Sequence, residues 1–318
     1  MLNFAMVFPG QGSQSLGMMD GFIEEPAAKR AFEEAQDALG VDLLALAQGH
    51  DEAAINRTEI TQPLVLAASV AMHRVWQSLG GPRPAALAGH SLGEYSALVA
   101  AAALDFSEAL RLVRARAQFM QEASPEGEGA MAAVLGVDEI TVAEACEEAS
   151  QGQIAQPANF NSPGQIVIAG DSAAVDRAIA LLRMRGARKI VRLAVSVPSH
   201  CAKMAPAAQR FAVELEKAEV YPPFIPTIQN ATLQASDDPE EVKRALTLQL
   251  TQPVRWTDTV RALVARDCAL QIECGPGKTL TGLARRIDPA VDARFCGSAD
   301  DMRFLIEAIE RARDGQGQ

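Results

Sequence analysis

The chain has 318 residues, of which 48% are apolar and 22% charged, and it carries a net charge of −11. This length allows one large domain or two modest ones, and the composition is ordinary for a globular enzyme. The acidic balance argues against a nucleic acid as partner, because phosphates are bound by clustered cations. No run reaches the roughly 18 apolar residues that a membrane span requires, so we expect no membrane partner.

The start of the chain and its cysteines indicate the cellular compartment. The segment MLNFAMVFPGQGSQ lacks a basic n-region and reaches glycine too soon for a signal peptide. The five cysteines include no C-x-x-C pair, so we expect reduced thiols, no disulfide and no metal site. We therefore predict a cytoplasmic protein.

The first part of the chain alternates short buried strands with helices. Strands are predicted at 4–8 and 85–89, and helices at 24–40, 61–81, 92–103 and 108–123. Thr61 is the expected N-cap of the second helix. This alternation predicts an α/β core, in which helices cover both faces of a mostly parallel sheet.

Residues 129–197 follow a different order. The predicted elements are a strand at 129–137, a helix at 138–150 capped by Asp138, two strands around the turn 161–164, a helix at 171–187 and a strand at 188–197. The order β-α-β-β-α-β is the ferredoxin-like plan. We therefore predict a small ferredoxin-like subdomain at 129–197, inserted into a large subdomain formed by 1–128 and 198–318.

Alternation of strands and helices resumes after the insertion. The predicted elements are strands at 224–231, 269–275 and 293–297 and helices at 238–250, 257–267, 278–287 and 301–315. These elements return the chain to the parallel sheet and complete the large subdomain.

A serine lies between two glycines in the segment Gly89-His90-Ser91-Leu92-Gly93, after a predicted strand and before a predicted helix. A tight strand-to-helix turn exposes such a serine as a nucleophile and leaves no room for side chains two residues away on either side. The turn also directs the N–H of Leu92 towards a substrate carbonyl oxygen. The alternative is a chance G-x-S-x-G in an alanine-rich stretch, which the strand–helix context disfavours.

The nucleophile needs a base, and the chain has four histidines. His50 lies in a polar loop, His73 in the middle of a helix, and His90 beside the nucleophile, where neighbouring side chains of an extended chain point apart. His200 follows a predicted strand end in VSVPSHC, where open α/β sheets place their chemistry. His200 is therefore the candidate base, and a hydrogen-bonded structural histidine is the alternative. A rival nucleophile, Cys201, has no evident base.

Two glycine-rich segments bear on the site. In VFPGQGSQ, at 7–14, the glycines that flank Gln11 let its backbone N–H turn inward as a second oxyanion donor. A dinucleotide-binding loop is excluded there, because G-x-G-x-x-G requires glycine in place of Ser15. CGPGKT, at 274–279, is excluded as a phosphate loop, because the Walker A pattern requires glycine in place of Ile272.

The helix predicted at 108–123 places an arginine on its apolar face. At about 100° per residue, Arg116 falls about 25° from the centre of the apolar direction, whereas Arg111 and Arg114 fall on the solvent side. A buried guanidinium needs an anionic partner, since burying it unpaired is costly. That partner is either a structural Asp or Glu or a substrate carboxylate held by the two-pronged fork of arginine. The helix geometry leaves both open.

Eight motifs occur together and in order: FPGQGSQ, TQPLVLAASVA, AGHSLGEYSAL, RARAQFMQEA, GAMAAVLG, NFNSPGQIVIAG, VSVPSHC and CGPGK. With them the chain resembles the malonyl-CoA:acyl carrier protein transacylase family of bacterial type II fatty acid synthesis, from about residue 3 to residue 297. The resemblance implies an α/β-hydrolase-like core with a ferredoxin-like insertion, in agreement with the predicted elements. One departure is Cys274, where the family has valine, and a small apolar thiol leaves the chemistry untouched.

The resemblance assigns roles to single residues. The family's nucleophile matches Ser91, its general base matches His200, and the arginine that binds the malonyl carboxylate matches Arg116. Its oxyanion donors match the backbone N–H groups of Gln11 and Leu92.

Further roles follow from the same resemblance. In this family a main-chain carbonyl orients the histidine; the matching residue is Gln249, which accounts for the lack of a convincing acidic third member. A family asparagine near the site matches Asn161. The implied reaction is ping-pong transfer of malonyl from malonyl-CoA to the phosphopantetheine thiol of acyl carrier protein through a malonyl-serine. We expect a monomer that needs no cofactor and no metal.

Three alternatives stay open on the sequence. An acyltransferase of the same fold would take another acyl-CoA, such as methylmalonyl-CoA in polyketide synthesis, because Arg116 indicates a carboxylated acyl group without separating the two. A serine esterase is disfavoured by the lack of an evident acid member and by the need to keep water from the acyl-enzyme. A non-enzymatic binding module would need neither Ser91 nor His200.

A cluster of cations suits an acidic partner. The segment RMRGARK places Arg183, Arg185, Arg188 and Lys189 at a helix end of the small subdomain. Acyl carrier proteins are acidic as a class, so we expect docking on this face. The alternative is a solvated helix terminus whose cations suit the helix dipole.

Overall fold

The strands are short and mostly apolar, and they form two sheets. The computed structural model describes residues 3–125, 127–194 and 197–315. Its strands are β1 (Phe4–Phe8), β2 (Ala86–Gly89), β3 (Gly129–Leu135), β4 (Ala155–Ser162), β5 (Gln165–Asp171), β6 (Lys189–Arg192), β7 (Thr227–Ile228), β8 (Leu270–Glu273) and β9 (Asp292–Phe295).

The helices separate most of these strands. They are α1 (Pro26–Leu39), α2 (Leu43–Gln48), α3 (Glu52–Ile55), α4 (Thr58–Ser78), α5 (Gly93–Ala100), α6 (Phe106–Ala123), α7 (Glu139–Ser150), α8 (Ser172–Met184), α9 (Ala205–Lys217), α10 (Pro239–Gln249), α11 (Trp256–Val264), α12 (Thr279–Ile287) and α13 (Ala299–Gly315). Within the described ranges, none is long and apolar enough to cross a membrane.

The larger sheet has the strand order β7-β2-β1-β8-β9, and each neighbouring pair is parallel. Phe4, Met6 and Phe8 of β1 pack in one hydrophobic cluster, whereas Ala5 and Val7 pack in another. Because successive strand residues point to opposite faces, helices must cover both faces of this sheet. The predicted α/β core is confirmed.

The smaller sheet is antiparallel and has the order β4-β5-β3-β6. With α7 after β3 and α8 after β5, the chain follows the ferredoxin-like order. Asp138 caps α7 as predicted, with its side chain accepting from the N–H of Thr141. The predicted ferredoxin-like unit is confirmed. The division of the chain at 128/129 and 197/198 stays a prediction.

The ends of several elements differ from the predictions. α4 begins after Arg57, so Thr61 lies in its first turn and is not the N-cap; its hydroxyl donates to the carbonyl oxygens of Ile55 and Arg57. The strand predicted at 224–231 is reduced to β7, two residues long. The strand predicted at 188–197 ends at Arg192, and its Val195 and Ser196 lie outside the described residues.

Helices also occur where none was predicted. α2 and α3 lie between α1 and α4, and α3 falls inside the segment interpreted as a polar loop around His50. α9 follows the candidate base. α2 and α3 are only 6 and 4 residues long, too short to show a helical period in the sequence.

The carboxyl ends of β1 and β2 position the site. Phe8 pairs with Gly89, so the segments after both strands leave the sheet at the same edge. Ligand sites of open α/β sheets lie at this edge. The segments that carry Gln11 and Ser91 meet there.

Candidate active site

Close backbone packing after β2 builds the serine turn. Ser91 has φ = 52°, a left-handed conformation that serine adopts only when the surrounding structure holds it. A Cβ on Gly89 would lie 1.9 Å from the carbonyl carbon of Gly93, and one on Gly93 would lie 2.1 Å from the carbonyl oxygen of Phe8. Both positions therefore admit only glycine, and the predicted strand-to-helix turn is present.

His200 lies beside the serine hydroxyl. Its Nε2 is 2.7 Å from Ser91 Oγ, and its Nδ1 is 2.7 Å from the main-chain oxygen of Gln249. Since a carbonyl oxygen only accepts, Nδ1 carries the proton and Nε2 turns its lone pair to the hydroxyl. Burial, assisted by the charge of Arg116, lowers the pKa of His200 to about 3, so the imidazole is neutral and free to accept a proton.

Arg116 reaches the same hydroxyl from α6. Its side chain is 1% exposed, and Nη2 lies 3.4 Å from Ser91 Oγ. Nη1 donates to Gln62 Oε1 at 2.8 Å, and Nη2 donates to Gln249 Oε1 at 3.1 Å. Arg111 and Arg114 of the same helix are exposed, as the helical wheel predicts.

The charge of Arg116 has no structural counter-ion in contact with it. None of the ion pairs among the described residues involves this guanidinium, and its Nε has no hydrogen-bond partner. The ring of Tyr95 lies 5.7 Å from its Cζ, at cation–π distance. Two neutral amides and a ring hold the fork without neutralising it. No Asp or Glu of the described ranges forms an ion pair with the guanidinium, and Glu94 acts on it only at longer range, through Gln249.

A buried carboxylate lies behind the turn and holds two amide groups. Glu94 Oε2 accepts from Gln249 Nε2 at 2.7 Å and from the backbone N–H of Asn230 at 3.1 Å. Gln249 Nε2 also donates to the carbonyl oxygen of Ser91 at 3.0 Å, and Asn230 Oδ1 accepts from the N–H of Ser91 at 2.7 Å. Burial raises the pKa of Glu94 to about 7 against the lowering effect of these donors.

Gln11 and Leu92, the candidate oxyanion donors, lie at the same cleft. Both residues line it together with Ser91, His200 and Arg116. In the part of the chain that the structure describes, neither N–H has a hydrogen-bond acceptor, so both are available to an oxyanion. The two loops approach closely, because a Cβ on Gly10 would lie 2.5 Å from the carbonyl oxygen of the residue before Ser91.

Asn161 contacts the neighbour of the nucleophile. Its Oδ1 lies 2.9 Å from His90 Nε2. Burial lowers the pKa of His90, so the ring is neutral and Nε2 donates to this oxygen. The contact joins the serine turn to β4 of the smaller sheet, and Asn161 is not among the residues that line the cleft around Ser91.

The rival nucleophile is buried and inactive. Cys201 Sγ donates to the carbonyl oxygen of Pro198 at 3.1 Å. Burial raises the pKa of this thiol to about 11, so it stays protonated.

Comparison with known proteins agrees with this geometry. The acyl transferase domain model matches residues 5–292. The malonyl CoA-acyl carrier protein transacylase of Escherichia coli strain K12 is 49% identical over 311 residues, which cover 98% of this chain and 100% of the relative.

The chain belongs to the malonyl-CoA:acyl carrier protein transacylase family.

Solved structures of this family superpose closely on the chain. The transacylase from Xanthomonas oryzae pv. oryzae is 51% identical, with a TM-score of 0.94 over 97% of this chain and 98% of that one. A malonyl-transacylase solved in complex with its type II PKS acyl-carrier protein is 48% identical, with a TM-score of 0.95 over 96% of this chain and 99% of that one.

Three buried polar side chains of this family member were not selected from the sequence: Gln62, Glu94 and Asn230. A signal existed for two of them. Gln62 directly precedes the apolar residues of TQPLVLAASVA, and Glu94 lies between the serine turn and the apolar residues of α5. Asn230 follows the two-residue β7, and no sequence pattern marks it. The side chain of Gln249 was also missed, since the resemblance concerns only its main-chain oxygen.

Proposed function

We propose that the chain transfers a malonyl group from malonyl-CoA to the phosphopantetheine thiol of acyl carrier protein, as the transacylases it resembles are named for doing. One observation carries the proposal. Ser91 Oγ lies between a neutral base, 2.7 Å away at His200 Nε2, and a buried cation that forms no ion pair with the described residues, 3.4 Å away at Arg116 Nη2. The first makes a nucleophile, and the second accepts an acyl group that ends in a carboxylate.

Acylation follows from the proton positions. His200 Nε2 takes the proton of Ser91 Oγ as the oxygen attacks the thioester carbonyl, and the main-chain oxygen of Gln249 holds the imidazolium through Nδ1–H. The N–H groups of Gln11 and Leu92 donate to the oxyanion. The tetrahedral intermediate then expels the coenzyme A sulfur, which takes the proton from His200.

Transfer to the carrier reverses these steps. The carrier thiol gives its proton to His200 Nε2, and its sulfur attacks the acyl carbonyl. The Ser91–acyl bond breaks, and the proton returns to Ser91 Oγ. Each half-reaction uses the same base and oxyanion donors, as a ping-pong mechanism requires.

Recognition of malonyl rests on the fork of Arg116. A carboxylate entering the cleft leaves water and needs charge-assisted donors in exchange. Gln62 accepts from Nη1 and Gln249 accepts from Nη2, and each nitrogen has a second N–H that can donate to a substrate carboxylate. Burial is the main cause of the low pKa of His200 and the charge of Arg116 the second, so a carboxylate bound to Arg116 offsets the second cause and raises the basicity of the imidazole.

Intact mass measurement tests the covalent step. Incubation with malonyl-CoA alone should add one malonyl group to Ser91, and Ser91→Ala should prevent it. Holo acyl carrier protein should then remove the label and gain it. Label on Cys201, or no label on the wild type, would overturn the proposal.

The same experiment separates the alternatives. An esterase would lose the malonyl group to water as fast without carrier as with it. Methylmalonyl-CoA labelling Ser91 faster than malonyl-CoA would identify the polyketide-type substrate, and a binding module would take up neither label.

A further inference from the structure

Glu94 is a buried carboxylate that the proposed mechanism does not use. It is 0% exposed and lies in the first turn of α5, directly after the serine turn. In the described ranges no cation forms an ion pair with it, and its Oε1 has no hydrogen-bond partner. Ionising a buried carboxylate is costly, and the two donors on Oε2, together with the charge of Arg116 beyond Gln249, offset part of that cost.

Through one of these donors, Glu94 helps to fix the orientation of the Gln249 side-chain amide. The side chain of Gln249 lies between an acceptor-only side, formed by Glu94 Oε2 and the carbonyl oxygen of Ser91, and a donor-only side, formed by Arg116. Nitrogen must face the carboxylate and oxygen must face the guanidinium, because the reverse orientation would oppose donor to donor and acceptor to acceptor. Without the carboxylate, one of the three contacts that fix this orientation is lost, and it is the shortest of the three.

The second donor ties Glu94 to the nucleophile. The backbone N–H of Asn230 is held by Glu94, while the side chain of Asn230 donates to the carbonyl oxygen of Gly89 at 2.6 Å and accepts from the N–H of Ser91. One carboxylate oxygen thus supports both the serine turn and the amide that holds Arg116.

We propose that Glu94 is a positioning residue for malonyl selection: its Oε2 orients the amide of Gln249, whose Oε1 holds the Arg116 guanidinium in line with Ser91. The inference rests on the proposed function, since it concerns how the same site selects a carboxylated acyl group. Glu94 touches no substrate atom and acts through Gln249.

The decisive measurement is the ratio of kcat/KM for malonyl-CoA to that for acetyl-CoA. Glu94→Met keeps the length of the side chain and removes both acceptor oxygens, so Arg116 loses its aligned partner. We expect the ratio to fall about 10-fold or more, chiefly through a higher KM for malonyl-CoA. Glu94→Gln keeps an acceptor oxygen for both donors, and the ratio should stay within about 3-fold of wild type.

Two further variants test whether the effect of Glu94 on Arg116 passes through Gln249. Glu273 is also 0% exposed and accepts from the N–H groups of Leu280 and Thr281 at the start of α12, with no contact to Arg116. Glu273→Met therefore measures the loss of a buried carboxylate alone, and the ratio should not change. Gln249→Met should lower the ratio by itself, and adding Glu94→Met to it should lower the ratio little further.

The outcomes decide the inference separately from the proposed function. The inference is wrong if Glu94→Met lowers kcat/KM for malonyl-CoA and for acetyl-CoA by the same factor. It is also wrong if Glu94→Gln lowers the ratio of the two as far as Glu94→Met does. In either case malonylation of Ser91 in the wild type still stands. If Glu94→Met does not fold, Gln249→Met decides, and an unchanged ratio in that variant overturns the inference. Failure of the wild type to take up malonyl overturns the proposed function itself.

Discussion

Arg116 joins two properties that rarely coexist, complete burial and a full charge. Burial lowers the pKa of its guanidinium, yet arginine remains protonated in proteins. Its hydrogen bonds to Gln62 and Gln249 are made with neutral oxygens, so no ion pair within the described residues offsets the cost of burying the charge. Under the proposed function, the carboxylate of the acyl group offsets it.

We therefore predict that Arg116→Ala removes the preference for malonyl-CoA over acetyl-CoA and has a smaller effect on acyl transfer itself. Loss of a buried charged hydrogen bond is worth roughly 2–5 kcal/mol, so kcat/KM for malonyl-CoA should fall on the order of 10²-fold or more. Acetyl transfer should fall little or rise, because a neutral acyl group no longer meets an unpaired guanidinium. Steady-state kinetics with both substrates measures this, after circular dichroism has established the fold. If kcat/KM falls by the same factor for malonyl-CoA and acetyl-CoA in a folded variant, the role of Arg116 is structural and the prediction is wrong.

At the scale of the element, the junction between β2 and α5 decides whether Ser91 is exposed. The strand ends at Gly89 and the helix begins at Gly93, and each glycine touches backbone instead of a movable side chain. Backbone contacts cannot relax by a rotamer change, so an added Cβ must displace the turn itself.

Gly89→Ala should therefore cost activity as well as stability. Its Cβ would fall 1.9 Å from a backbone carbon, and a shift of about 1 Å at the nucleophile is worth about 10²-fold in rate. We expect such a loss of kcat/KM for malonyl-CoA together with a lower melting temperature.

Gly282→Ala is the matched control. It lies within α12 and a Cβ there would meet nothing within 4 Å, so it should stabilise the helix by about 0.5–1 kcal/mol and leave the kinetics unchanged. Full activity in Gly89→Ala would show that the turn has more freedom than its contacts indicate.

At the scale of the whole molecule, an acidic enzyme must still receive an acidic carrier. Four cations are expected to bind the carrier protein. Of these, Arg185 already forms ion pairs with Glu148 and Glu144 of the same chain. Arg183, Arg188 and Lys189 are exposed and form no ion pair within the described residues. Lys189 begins β6, four residues before Leu193 in the wall of the cleft, a distance of about 13 Å along a strand.

Charge reversal of Arg183 and Arg188 to Glu should raise KM for acyl carrier protein about 10-fold or more and leave KM for malonyl-CoA within about 2-fold. The effect should weaken as salt is added, because exposed charges are screened. The control is the same reversal at Arg30 and Arg266, two exposed arginines on the larger-sheet side of the chain. Equal effects on both substrates, or an equal effect of the control, would contradict docking at this face.

Short-range sequence patterns were sufficient to predict most of the helices and strands and part of the candidate site. Strand ends, glycine spacing and the apolar stripe of α6 depend on neighbours in sequence, and they located Ser91 and the inward direction of Arg116. Elimination among few histidines left His200, whose own φ of 62° no pattern foretold. The part played by Gln249 came from resemblance, since any residue supplies a main-chain oxygen.

By itself, then, the sequence determined the α/β core, the ferredoxin-like order and the candidates for nucleophile and base, because each depends on short-range periodicity, glycine placement or residue type. Only the tertiary structure decided what surrounds Arg116. Glu94, Asn230 and Gln249 come from three elements far apart in the chain, and a hydrogen bond between such groups depends on how the sheet brings their ends together. The same holds for the missing counter-ion: the helical wheel showed that Arg116 turns inward, and the packed fold showed that, among the described residues, only neutral groups contact it.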